Sequence, residues 1–122
     1  MPEFIIIADD LSGACDTAVQ FKNAGYKTMV LNNPASFLSL DSQYSAIALT
    51  TNSRDVTPDE AREKVEEACR YLKTLPNTNI YKKMDSTWRG NIGAELEVLM
   101  ENLGYKFALI CSAYPQNNRI GS

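Results

Sequence analysis

The 122-residue chain has no histidine. That absence excludes a Ser-His-Asp triad, a Cys-His dyad and a His-ligated metal site built from this chain alone. Cysteine is scarce. Cys15, Cys69 and Cys111 are widely spaced with no C-x-x-C pair, so neither a disulfide framework nor a zinc site is expected. All three read as small buried apolar residues. No apolar run approaches the ~20 residues of a membrane span. The start, MPEFIIIADD, lacks the basic segment and cleavage site of a signal peptide. A soluble, reducing, cytoplasmic setting is the default expectation, with no membrane partner. Excess positive charge is also missing. With 12 basic and 15 acidic residues the net charge is −3, which gives no electrostatic case for a nucleic-acid partner. Finally, no G-x-x-x-x-G-K-[ST] occurs and no G-x-G-x-x-G follows the first apolar run, so there is no recognisable nucleotide cradle.

What is present is an ordinary globular composition, 44% hydrophobic, at a length that suits one domain over residues 1–122. Short apolar runs alternate with helical patterns. Phe4–Ala8 is continuous and β-branched, as in a strand buried on both faces. Ala14, Ala18 and Phe21 then repeat at helical spacing, with Gly25 placed to end the helix. Thr28–Leu31 is a second strand, broken by Asn33-Pro34, and a short helix or turn is expected over Ser36–Leu40. Ala46–Leu49 is a third strand. Thr57, Pro58 and Glu60 form a helix start, followed by a stripe of Ala61, Val65, Ala68, Leu72 and Leu75. A short fourth strand opens at Ile80-Tyr81. Ile92, Leu96, Leu99, Met100 and Leu103 make another amphipathic helix, closed by Gly104, and Phe107–Cys111 is a fifth strand. This order predicts an α/β fold: an open, mainly parallel, five-stranded sheet, doubly wound and Rossmann-like, with helices on both faces. The tail from Tyr114 to Ser122 reads as a loop with no element after it, as expected of a piece of a longer protein.

Open parallel sheets bind ligands outside the carboxyl ends of their strands. Three of those ends are dense in polar groups: Asp9-Asp10-Leu11-Ser12-Gly13, Thr50-Thr51-Asn52-Ser53-Arg54-Asp55, and the stretch from Lys82 to Asn91. The Asp9-Asp10 pair can cap the following helix. Alternatively it can serve a site, since two adjacent carboxylates need a cation or hydroxyl donors to offset their repulsion. Ser53-Arg54 is either a turn with a solvated arginine or a guanidinium fork for a carboxylate or phosphate. Lys82–Asn91 packs two lysines, an aspartate, two hydroxyls, an arginine and a glycine just ahead of a helix N-terminus, where anions are favoured. A salt-bridged surface loop is its plainer reading. Trp88 reads first as a core anchor and second as a lid over a ligand.

These clusters, together with Ala113-Tyr114-Pro115, resemble the N-terminal domain of the four-carbon acid sugar kinases. The stretch from Lys83 to Glu95 is the specific part, and the resemblance runs in order along nearly the whole chain. It implies an ATP-dependent kinase acting on the C4 hydroxyl of an acid of the threonate, erythronate or 3-oxo-tetronate class. It further implies that this domain binds the acid sugar while a C-terminal domain of the same protein binds ATP with Mg2+. The site residues expected on this reading are Asp9 and Asp10 for catalysis, and Ser53, Arg54, Lys83, Asp85, Ser86, Arg89, Gly90 and Asn91 for substrate, with no metal ligands. Departures from the family pattern are Ser12 for a usual threonine, Cys15 at a commonly polar position, Trp88 for a usual leucine, and Asn118 and Ile120 flanking Arg119 where Gly-Arg-Thr is common.

Two other readings stand beside it. A stand-alone sugar-acid-binding module would share the site without catalysis. A receiver-like signalling domain would match the size and the acidic pair. However, it needs an aspartate after the third strand and a lysine after the fifth, where this chain has Thr-Thr-Asn-Ser-Arg and Cys-Ser-Ala-Tyr-Pro.

Overall fold

The computed structural model describes residues 3–39, 43–74, 78–84, 91–104 and 106–111. Five strands form one all-parallel sheet: β1 (Phe4–Ala8), β2 (Thr28–Leu31), β3 (Ala46–Thr50), β4 (Asn79–Met84) and β5 (Phe107–Cys111), in the order β2-β3-β1-β4-β5. Three α-helices connect them: α1 (Leu11–Asn23), α2 (Pro58–Leu72) and α3 (Ile92–Leu103). A 3₁₀ helix (Pro34–Ser39) joins β2 to β3. No helix among the described residues is long and apolar enough to cross a membrane.

The helix boundaries follow their local chemistry. Thr57 accepts a hydrogen bond from Glu60 N (3.2 Å), with Pro58 in the first turn, as the sequence predicts for α2. After α1 the chain turns through Gly25 at φ 100°, a left-handed conformation that glycine adopts without a Cβ penalty.

The two faces of the sheet differ. Ile5, Ile7, Ile47, Leu49 and Ile80 pack with Val65, Ala68 and Leu72 of α2 and Val98, Leu99 and Leu103 of α3. Each such valine, leucine or isoleucine contributes roughly 1.5–3 kcal/mol when fully buried. On the other face, Ala8 and Ala48 meet Ala14 and Ala18 of α1, so small residues bring that helix close. Right-handed crossovers require this division. The connection from β1 runs towards β2, whereas those from β3 and β4 run the opposite way. The outgoing chains therefore diverge at the carboxyl end of β1, which is the switch point where open α/β sheets bind ligands.

Several sequence expectations need correction. The fourth strand does not give way to loop at Lys82 but continues to Met84. It lies between two partners, with Ile7 beside Lys82 and with Leu109, Ile110 and Cys111 beside Lys82, Lys83 and Met84, so the ladder extends it past its apolar start. The 3₁₀ helix begins at Pro34, whose fixed φ and missing N–H suit a first helical position. Leu40, Leu75 and the tail from residue 112 lie outside the described residues. Met100 is 42% exposed, while Glu95 and Val98 take inward positions on α3. Cys15 is exposed, because the inner face of α1 belongs to Ala14, Thr17 and Ala18. Cys69 is buried as expected, and burial pushes its thiol up to about 11.

Candidate functional site

Asp10 serves as the N-cap of α1. Its Oδ1 accepts from Gly13 N at 2.8 Å, so the capping reading of the acidic pair is correct for one oxygen of one residue. Its Oδ2 lies 3.1 Å from Arg54 Nη1, and Asp9 Oδ1 lies 3.1 Å from Arg54 Nη2. One guanidinium thus bridges both carboxylates and supplies the cation that their repulsion requires. The approach is enforced by backbone: Ser53 N and Arg54 N both donate to Asp9 O, at 2.9 and 3.3 Å. Asp9 is buried, and Asp10 keeps about a third of its side chain exposed.

Lys83 reaches the same place from β4. A Cβ added to Gly13 would stand 2.9 Å from Asp10 Oδ1 and 3.3 Å from Lys83 Nζ. Any larger residue at position 13 would press on both groups. The first turn of α1 is therefore closed on one side by the cap and on the other by an ammonium group.

A second set of charges lies beneath this edge, on the α2 and α3 side. Lys82 Nζ is 3.0 Å from Glu95 Oε1, and both side chains are essentially inaccessible, at 1% and 0%. Ser53 Oγ donates to Glu95 Oε2 at 2.9 Å. The Thr51 and Ser53 hydroxyls lie 2.7 Å apart, and Thr51 Oγ1 is also 3.3 Å from Ala8 O. Thr51 N in turn donates to Ala8 O (2.9 Å). Asn91, just ahead of α3, does not cap its own helix. Its Nδ2 donates instead to Ser53 O (2.9 Å) and Val56 O (2.8 Å), with Arg54 O at 3.5 Å. The start of α3 is thereby stapled to the loop that carries Arg54.

An open groove of about 260 Å³ lies at the amino ends of β4 and β5, lined by Thr78, Asn79, Lys106 and Phe107 among others. At the carboxyl edge, a smaller polar recess of about 120 Å³ borders Asn32, Thr50, Thr51 and Asn52. Asn52 has φ 52° and holds that conformation through hydrogen bonds with Thr50 and Asn32.

A family model described as the sugar-binding N-terminal domain matches residues 4–121. The chain belongs to this family. Among curated relatives of this sugar-binding domain, a D-erythronate kinase from Heliobacterium modesticaldum is 38% identical over 98% of this chain. A D-threonate kinase from Salmonella typhimurium is 36% identical over 96% of it. The chain spans only 28% and 27% of these two proteins. A solved structure from Bordetella bronchiseptica, a domain-swapped dimer with bound citrate, matches with TM-score 0.78 and 35% identity over 84% of this chain and 26% of its own. The likeness in structure and the family match agree with the α/β architecture expected from the segment order.

Of the residues expected at the site, Asp9, Asp10, Ser53, Arg54, Lys83 and Asn91 converge at the carboxyl edge of this sugar-binding domain. Asp85, Ser86, Arg89 and Gly90 lie outside the described residues, as do Trp88 and Ala113-Tyr114-Pro115. Ser53 turns its hydroxyl inward to Glu95, and the Asn91 amide is engaged with the loop. Thr51, Lys82 and Glu95 lay within the stretches that the sequence marked, but no site role was expected of them. The signal was available for two of them. Lys82 follows Ile80 at strand period on the core face, and Glu95 falls between Ile92 and Leu99 on the buried stripe of α3.

Proposed function

We propose that this chain is the acid-sugar-binding portion of an ATP-dependent kinase that phosphorylates the C4 hydroxyl of a four-carbon acid of the threonate, erythronate or 3-oxo-tetronate class. The observation that carries the reading is the bridge of Arg54 between Asp9 and Asp10 at the switch point of the sheet. The kinase names of relatives and the citrate bound to the Bordetella protein support the acid substrate.

On this reading Arg89, Lys83 and the N-terminus of α3 hold the substrate carboxylate, with Arg54 at its flank. Asp85 and Ser86 bind the middle hydroxyls, and Gly90 lets the backbone approach. Ser53 and Asn91 shape the loop that borders the substrate. The C4 hydroxyl then points to the loop after β1. Phosphoryl transfer needs that hydroxyl oriented and its proton accepted. Partial exposure favours Asp10 for the contact, while buried Asp9 anchors Arg54.

ATP with Mg2+ would supply the phosphoryl group. No group of the described residues fits it. The sequence has no phosphate loop, and the described residues contain no cluster of three or more His, Cys, Asp or Glu side chains that could hold a metal. Binding of the nucleotide is assigned to a C-terminal domain of the same protein, as the family resemblance implies. The test is ATP turnover by the full-length protein against a panel of four-carbon acids. Phosphorylation of at least one at C4 is expected. Binding without turnover of any would reduce the proposal to a sugar-acid-binding module.

A further inference from the structure

Among the described residues expected at the site, Glu95 meets Ser53, and its two oxygens are divided between two tasks. Oε1 faces the Lys82 ammonium at 3.0 Å, and Oε2 accepts from Ser53 at 2.9 Å. Lys82 Nζ also donates to Lys83 O at 3.2 Å, which ties the pair to the end of β4. A buried ion pair is weak evidence for stability, because apolar replacements of similar volume are often neutral or better. Its geometry points to a different role.

Ser53 is the link. Its N–H donates to Asp9 O, its carbonyl accepts from Asn91 Nδ2, and its hydroxyl donates to Glu95. The next residue is Arg54, whose guanidinium bridges Asp9 and Asp10. The Ser53 backbone is thus held from both sides, and its side chain provides the third restraint. We infer that Glu95 is a positioning residue: held by Lys82, its Oε2 fixes the Ser53 hydroxyl and hence the backbone that aims Arg54 at the acidic pair. The kinetic consequence of this inference rests on the proposed function; the structural consequence does not.

The test uses the full-length protein and separates the hydrogen-bond acceptor from the ion pair. Lys82→Met with Glu95→Leu removes both. Lys82→Met with Glu95→Gln removes the charges but keeps an amide oxygen for Ser53. Ser53→Ala keeps the ion pair and cuts the link. The leucine double variant and Ser53→Ala are expected to lose about tenfold or more in kcat/KM for the acid that the wild type phosphorylates, as misaimed catalytic groups do. The glutamine double variant is expected to recover to within about threefold of wild type. Amide hydrogen exchange across residues 51–57 is expected to rise in the first two and not in the third. Should the double variants fail to accumulate, Ser53→Ala decides alone. Activities that simply follow the thermal midpoints, or unchanged exchange across 51–57 in Ser53→Ala, would overturn the inference. If the wild type phosphorylates no four-carbon acid, the proposed function fails, and the exchange pattern still decides the positioning role.

Discussion

Two ion-pair systems meet at the same sheet edge and differ in their access to water. Arg54, Asp9 and Asp10 have side chains that are 17%, 7% and 32% exposed, whereas Lys82 and Glu95 are sealed. In the first system a ligand can exchange with water and compete for charged groups. In the second, the charges are desolvated, and the cost of burial is offset by the partner charge together with the Ser53 hydroxyl on Glu95 and the Lys83 carbonyl on Lys82. The difference separates the proposed ligand-facing edge from the frame beneath it. Cys69, buried in the same layer, shows what that interior does to a group without a strong partner: desolvation pushes its thiol up to about 11, towards the neutral form.

The largest stability effect should follow from breaking the sealed pair. Lys82→Met alone leaves the Glu95 carboxylate buried and uncompensated, a loss of roughly 3–5 kcal/mol. A sharp fall in the thermal midpoint of the full-length protein checks it. A midpoint near wild type would mean that water reaches Glu95 and that the contrast between the two systems is false.

Breaking the open system should cost less in stability and more in binding. Arg54→Ala loses charge-assisted hydrogen bonds of roughly 1.5–3 kcal/mol. On the proposed function, calorimetric titration with a four-carbon acid should show at least about tenfold weaker binding in Arg89→Ala, and only partial recovery in Arg89→Lys, because lysine has no planar fork. Unchanged affinity in Arg89→Ala would remove that residue from the site.

Smaller effects sharpen the same contrast. Asp10→Ala removes the α1 cap and should destabilise by about 1 kcal/mol, whereas Asp10→Asn keeps an acceptor and should restore most of it. The Cys69 thiol should produce the slightest change. Its proton is held more tightly in the folded state than at the ordinary value of 9.0, so it contributes stability below pH 9 that is lost as pH rises towards 11. Alkaline melts of Cys69→Ala should show a shallower decline than wild type across that window. An identical decline would mean that the thiol is solvated.

The fold was largely legible because apolar periodicity and capping chemistry agree along the chain. Thr57-Pro58 and Gly104 mark helix ends, and the buried-type runs Phe4–Ala8 and Ala46–Leu49 mark central strands. The end of β4 was not legible, since hydrogen bonds from two neighbouring strands, rather than local apolarity, carry it to Met84. At the site, the acidic pair and Arg54 stood out as charges after strands. What could not be read was their mutual engagement, because the 43 residues between Asp10 and Arg54 are closed by the long-range β1–β3 pairing. Glu95 was hidden for a related reason. A charge on an apolar stripe reads as an irregularity until the lysine that faces it is placed by the neighbouring strand.

The most direct measurement of the proposed function is the kcat of Asp9→Asn and Asp10→Asn in the full-length protein with a four-carbon acid that the wild type phosphorylates. Each exchange removes charge with little change in shape, so loss of a proton acceptor reads in kcat rather than KM. The expected result is a fall in kcat of about 100-fold or more for Asp10→Asn, the range of a lost general base, with a lesser fall for Asp9→Asn. If both variants keep kcat within about twofold of wild type, the loop after β1 takes no part in phosphoryl transfer, and the assignment of the acidic pair to catalysis is wrong.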